Sequence, residues 1–75
     1  NDSFLLNEPF NPFDLLSKRE IEIVKLLVKG DRNLEISNFL GIKMSTVSTY
    51  KNRVFEKLKI NNLVELIEKY NLHYS

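Results

Sequence analysis

The chain has 75 residues, with 11 Lys and Arg against 10 Asp and Glu, two Gly, two Pro and no Cys. A chain of this length forms one small core and buries only about 60% of the surface that its unfolded form exposes, which disfavours a large enclosed active site. Without Cys there is no disulfide and no thiolate metal site, and the single His, His73, has no second ligand at metal-binding spacing, so neither a metal nor a cofactor is expected.

No apolar run approaches the roughly 20 residues that a membrane-spanning helix needs, and the opening "NDSFLLNEPF" lacks the basic and apolar regions of a signal peptide. The expectation is a soluble, cytoplasmic protein without membrane contact, and a start at Asn rather than Met reads as a piece of a longer chain. The net charge of +1 hides an uneven distribution. Residues 1–42 carry five basic and seven acidic side chains, 43–59 carry five basic and one acidic, and 60–75 carry one basic and two acidic. The positive charge is concentrated on one segment, which points to an anionic partner.

Residues 1–16 contain Pro9 and Pro12 and no helical period, yet Phe10, Phe13, Leu15 and Leu16 are too apolar for a free linker. They are expected to form an irregular arm that lays aromatics on the core, before a domain over 17–75. "SKRE" offers Ser17 as N-cap with Glu20 three residues on, a capping box that opens a first helix over 17–29. Ile21, Val24, Leu27 and Val28 form its apolar face, widened by Ile23 and Leu26, and Gly30 stops it.

In "NLEISNFL" the side chains Leu34, Ile36, Phe39 and Leu40 have helical spacing, predicting a second helix over 33–40 capped by Asp31 or Asn33. Gly41 and Ile42 break the pattern, and Val47, Tyr50, Val54 and Leu58 resume it over 45–59. A short helix, a tight turn with Gly and a longer helix describe a helix-turn-helix. Asn62 and Glu65 make a second capping box for a fourth helix over 62–71, with Leu63, Leu66, Ile67 and Tyr70 inward and the tail "NLHYS" fraying. His73 reads as a surface residue. With no strand alternation, the fold class is all-α with four helices.

If Val47, Tyr50, Val54 and Leu58 face inward, Ser45, Ser48, Thr49 and Asn52 share the opposite face, with Lys51 at its edge. Short, uncharged donors and acceptors bordered by cations suit a helix that approaches base edges in the DNA major groove and meets phosphates on either side. Ser45 or Thr46 adds a hydroxyl beside the positive end of the helix dipole, where a phosphate is favoured. Taken singly, each residue is explained as an N-cap or a solvated charge; on a helix-turn-helix the group reads as a DNA-contacting set.

The blocks "LSKREIEIVKLLVKG", "NLEISNFLGI", "TVSTYKNRVFEKLKI" and "LVELIEKY" resemble the DNA-binding domain of LuxR-type regulators, the class shared by LuxR, FixJ, NarL and GerE. The form "TVSTYK…KL…LVEL" is especially similar to effector domains of response regulators like BvgA and EvgA. The resemblance implies a double-stranded DNA operator as partner, with base contacts at Ser48, Thr49 and Asn52. It implies phosphate contacts at Thr46 and Lys57, aided by Arg32 and Asn33. It also implies contact with RNA polymerase and a homodimer on DNA through the fourth helix, for which Val64 and Glu68 are the interface candidates, while Leu63, Leu66 and Ile67 read as core.

The chain departs from the family pattern in four places. Ser48 stands where Lys is frequent, Tyr50 where His is frequent, and Arg32 where a Ser usually precedes the second helix. Lys43 replaces a usual Ser cap, which moves the expected start of the third helix toward Ser45.

Two other readings compete: the promoter-binding fourth region of a sigma factor, against which "NNLVELIEKY" speaks, and a helical protein-interaction module. An enzyme is not expected, because there is no Gly-rich phosphate loop and no nucleophile with a spaced His. Glu20, Glu22, Glu65 and Glu68 are accounted for by capping or solvation.

Overall fold

The computed structural model describes residues 11–74, so Pro9 and Phe10 of the expected arm lie outside the described residues. Among the described residues the chain forms a 3₁₀ turn at Pro12–Leu15 and four α-helices: α1 (Lys18–Lys29), α2 (Asn33–Leu40), α3 (Met44–Leu58) and α4 (Leu63–Tyr74). The class is all-α. α3 packs against both α1 and α2, the 3₁₀ turn leans on α3, and α4 closes on α1.

The 3₁₀ turn, α1, α2 and α4 each begin where a side chain satisfies a free backbone N–H. The Phe13 N–H donates to Asn11 Oδ1 at 2.9 Å, with Pro12 pre-set for the first position of the turn. The expected box at α1 is complete: the Glu20 N–H donates to Ser17 Oγ at 3.3 Å and the Ser17 N–H to Glu20 Oε1 at 2.8 Å. α2 is capped differently from the expectation of Asp31 or Asn33. Arg32 is its N-cap residue, and Glu35 reaches back to the Arg32 N–H at 2.7 Å. At α4 the Glu65 N–H donates to Asn62 Oδ1 at 2.9 Å, but the Glu65 carboxylate takes the N–H of Asn61 rather than of Asn62.

α1, α2 and α3 end in one way. The residue after each helix is left-handed, Gly30 at φ 112°, Gly41 at φ 69° and Lys59 at φ 58°, and the next N–H reaches back over the last turn. These bonds run from Asp31 to Leu26 O, from Ile42 to Ser37 O and from Ile60 to Phe55 O, each at 3.0 Å. Lys59 is the one non-glycine residue at positive φ among the described residues. The turn it makes delivers Ile60 into the core, 8% exposed, and that burial offsets the backbone strain.

The core joins all elements: Phe13, then Ile23, Val24 and Leu27 of α1, Ile36 of α2, Val47, Val54 and Leu58 of α3, Ile60, and Leu66 of α4. Two apolar residues of α2 lie outside the core, and one expectation for α4 needs correction. Leu34 and Phe39 do not pack inward; they are 55% and 74% exposed. The buried arc of α2 runs from Ile36 to Ser37, and at 100° per residue Leu34 and Phe39 fall roughly 110° to either side of its centre. Leu63, expected in the core, is 38% exposed, and Leu66 alone of α4 is fully covered.

α4 does not fray at residue 71. It continues to Tyr74 because Tyr70, His73 and Tyr74, at i, i+3 and i+4, surround the Phe13 ring edge-on at centroid distances of 5.8, 5.9 and 5.4 Å. Asn11 Nδ2 also donates to the Tyr74 hydroxyl at 3.2 Å. Each aromatic pair contributes about 0.5–1.5 kcal/mol beyond burial.

Two substitutions test this account by thermal or urea unfolding. Phe13→Ala removes the centre of the aromatic cluster and is expected to destabilise the fold by about 3–5 kcal/mol, with early loss of helicity from α4. Lys59→Gly relieves the left-handed strain and is expected to stabilise by up to about 1 kcal/mol, whereas Lys59→Val at the same φ is expected to destabilise.

Candidate nucleic-acid interface

Val47, Val54 and Leu58 are 0%, 0% and 2% exposed, and Tyr50 is half-buried, so the rotation of α3 about its axis is fixed. That rotation turns Ser45, Thr49 and Asn52 to solvent, with Ser48 half-buried beside them. The helix starts at Met44, one residue before the expected Ser45, with Lys43 as an N-cap residue that makes no side-chain cap bond. Lys has no acceptor atom, so the first turn is held instead by the Lys43 carbonyl, which accepts from the N–H groups of Thr46 and Val47 at 3.0 Å each. Ser45 is therefore a first-turn residue rather than a cap.

The expected base-facing residues differ in how they are held. Thr49 Oγ1 donates to the Ser45 carbonyl at 3.0 Å, one turn back. Ser48 Oγ accepts from Asn33 Nδ2 at 3.5 Å, which ties the head of α3 to the start of α2 and brings Asn33 into the same surface. Asn52 is exposed.

Cations surround this polar patch. Arg32 and Lys43 stand exposed at the starts of α2 and α3. Lys51 lies with its ammonium 6.0 Å above the Phe55 ring, and Arg53 with its guanidinium 5.9 Å from the Tyr50 ring. Each charged head thus sits at the outer reach of a cation–π contact with an aromatic ring of its own helix. Lys43 is missing from the phosphate-contacting set drawn from the sequence, where it counts only as a lost cap. Its signal is its position, immediately before the first turn of the helix with the polar head. Thr46 is half-buried at that turn.

Lys57 is held on another side of the domain. Its Nζ donates to Glu20 Oε1 at 2.8 Å and to the Leu15 carbonyl at 3.4 Å, joining α3, α1 and the 3₁₀ turn. The Glu20 side chain is 3% exposed and that of Lys57 39%. Burial by itself pushes the Glu20 carboxyl up. Hydrogen bonds from Lys57 and from Ser17, together with the Lys57 charge, outweigh it and hold the carboxyl below its ordinary value of 4.5. Capping alone does not account for Glu20, because the same Oε1 atom accepts from both the Ser17 N–H and Lys57.

Val64 and Glu68 stand exposed on the outer face of α4, with Leu72 one turn further along and 77% exposed. None of the described helices is long and apolar enough to cross a membrane.

A short helix, a glycine turn and a longer helix with a polar, cation-bordered outer face define a helix-turn-helix domain. Residues 14–70 match the family described as GerE, bacterial regulatory proteins of the luxR family, and the chain belongs to that family. It is accordingly a DNA-binding domain of transcription regulation and not an enzyme. It is similar to the oxygen regulatory protein NreC of Staphylococcus carnosus, 40% identical over 62 residues, which is 83% of this chain and 29% of that protein. It is also similar to the response regulator GacA of Pseudomonas viridiflava, 48% identical over 56 residues, or 75% of this chain and 26% of that protein. The NreC of Staphylococcus aureus is 41% identical over 58 residues, 77% of this chain and 27% of that protein. The chain thus spans less than a third of the length of these relatives.

The Glu20–Lys57 pair gives a pH dependence with a defined sign. A carboxyl whose pKa is depressed by folding stabilises the fold above its unfolded pKa, and that contribution is lost as pH falls through the lower, folded value. The stability difference between the wild type and Glu20→Gln is expected to be full above pH 4.5 and to shrink on acidification below it, measured by urea unfolding across pH 2–7. Lys57→Met, which leaves the buried carboxylate without its cation, is expected to cost about 1–3 kcal/mol at neutral pH.

Proposed function

We propose that the chain binds double-stranded DNA sequence-specifically, with α3 in the major groove, as the output domain of a bacterial transcriptional regulator of the response-regulator type. In this reading Ser48, Thr49 and Asn52 face base edges. Arg32, Asn33, Ser45, Thr46 and Lys51 meet phosphates, joined by Lys43 at the head of α3. The observation that carries the reading is the head of α3: about two turns whose outer side chains are short and uncharged, bordered by cations, on a helix whose inner stripe is locked in the core. Short polar side chains let the helix backbone approach base pairs closely, and the flanking cations supply affinity without sequence preference.

Lys57 takes two roles in this reading. It braces Glu20, and its side chain, 39% exposed, also borders a phosphate. The outer face of α4, with Val64 and Glu68, forms the contact between two copies on an inverted repeat, and RNA polymerase is the further partner. The similarity to a response regulator and to an oxygen regulatory protein supports a domain of this kind in a longer cytoplasmic regulator.

The test is duplex affinity as a function of salt. Log affinity is expected to fall linearly with log salt, and Arg32→Ala and Lys51→Ala are each expected to lower affinity for all sequences and to reduce the slope by about 1. Lys57→Gln paired with Glu20→Gln separates the two roles of Lys57: if the lysine touches phosphate, the first loses affinity and the second does not. Equal affinity for every duplex tested would contradict sequence-specific binding.

A further inference from the structure

The reading face of α3 carries hydrogen-bonding information of its own, because its hydroxyls are already partly committed. Thr49 spends its hydroxyl proton on the Ser45 carbonyl at 3.0 Å. What an exposed Thr49 then offers outward is an acceptor lone pair and a methyl group. Ser48 is half-buried and leans toward α2, its Oγ 3.5 Å from the Asn33 amide, so it is the least free of the three. Asn52 is exposed, and no partner holds its carboxamide among the described residues. It presents a donor and an acceptor side by side.

In the major groove these offers are not interchangeable. A free carboxamide matches the N6–H₂ donor and N7 acceptor of adenine as a bidentate pair, whereas guanine, with two acceptors, calls for Arg or Lys. An outward methyl finds an apolar partner only in the thymine C5-methyl group. An acceptor oxygen that cannot donate is also poorly matched to the two acceptors of guanine. Thr49 and Asn52 are three residues apart, neighbours one turn along the same face, so they address adjacent base pairs.

We infer that Thr49 and Asn52 together specify an A·T element at the centre of each bound half-site, with Asn52 pairing to an adenine and the Thr49 methyl packing on the methyl of a thymine in the next base pair. The inference rests on α3 lying in the major groove. It adds the class of base that the helix selects, and it follows from the Thr49–Ser45 hydrogen bond, which fixes what Thr49 presents.

The experiment begins with selection of duplexes from a random pool by the 75-residue chain. The enriched duplex is then resynthesised with deoxyuridine for single thymines, which removes one methyl, and with 7-deazaadenine for single adenines, which removes one acceptor. One thymine position is expected to lose about fourfold in affinity on losing its methyl. Thr49→Ser, which keeps the hydroxyl and lacks the methyl, is expected to lose the same factor on the thymine duplex and nothing further on the deoxyuridine duplex. The adjacent 7-deazaadenine and Asn52→Ala are each expected to weaken binding by roughly 5- to 150-fold without adding to one another. Both residues are exposed, and far-ultraviolet circular dichroism checks that the variants keep the wild-type fold. Selected sites made of G·C pairs at the centre of the half-site, or deoxyuridine and Thr49→Ser effects that simply add, would overturn the inference while leaving major-groove binding in place. A pool that enriches no sequence would overturn the binding reading itself.

Discussion

Burial of Val47, Val54 and Leu58 is the constraint on which the rest of the domain depends. These three side chains, together with half-buried Tyr50, lock α3 between α1 and α2 and so determine which residues it shows to solvent. The head of α3 is rich in Ser, Thr and Val, which cost up to about 0.7 kcal/mol each in a helix relative to Ala. Burial of one apolar side chain is worth about 1.5–3 kcal/mol, so packing on one face sustains a helix whose other face carries poor helix formers.

Helix ends do comparable work. Repeated left-handed closures after α1, α2 and α3 satisfy the last carbonyls and turn the chain sharply enough for short connections. At α2 the closure through Gly41 sets the angle between the two helices of the motif. At α3 the same geometry is made with Lys59, and it directs Ile60 into the core rather than along the surface. The domain thus draws specificity of shape from backbone hydrogen bonds and uses its few apolar side chains where the helices cross.

The pair of Glu20 and Lys57 shows how a small domain couples its parts. One carboxylate caps α1 through the Ser17 N–H and receives the ammonium from α3, and that ammonium also reaches the carbonyl of Leu15. Three elements meet at one buried charge. A buried carboxylate is costly alone and tolerated here because each hydrogen bond it accepts comes from a different element. The aromatic cluster of Phe13, Tyr70, His73 and Tyr74 does the same for the opposite end of the chain, pinning α4 to the 3₁₀ turn.

The sequence by itself determined the class, the four helices and the rotation of α3, because the period of Val47, Tyr50, Val54 and Leu58 and the caps at Ser17 and Asn62 are local signals, written within one or two turns of where they act. The same locality made Ser45, Thr49 and Asn52 legible as an outward set. Only the tertiary structure decided that Leu34 and Phe39 lie outside the core, since a two-turn helix with apolar residues on several sides has no unique inward face until its neighbours choose one. The length of α4 was decided likewise by Phe13, some 60 residues away in sequence. The tie of Lys57 to Glu20 spans 37 residues. Spacing along a helix cannot announce a partner on another helix, and that is why a lysine legible as a cation at the end of α3 proved to be a brace within the fold.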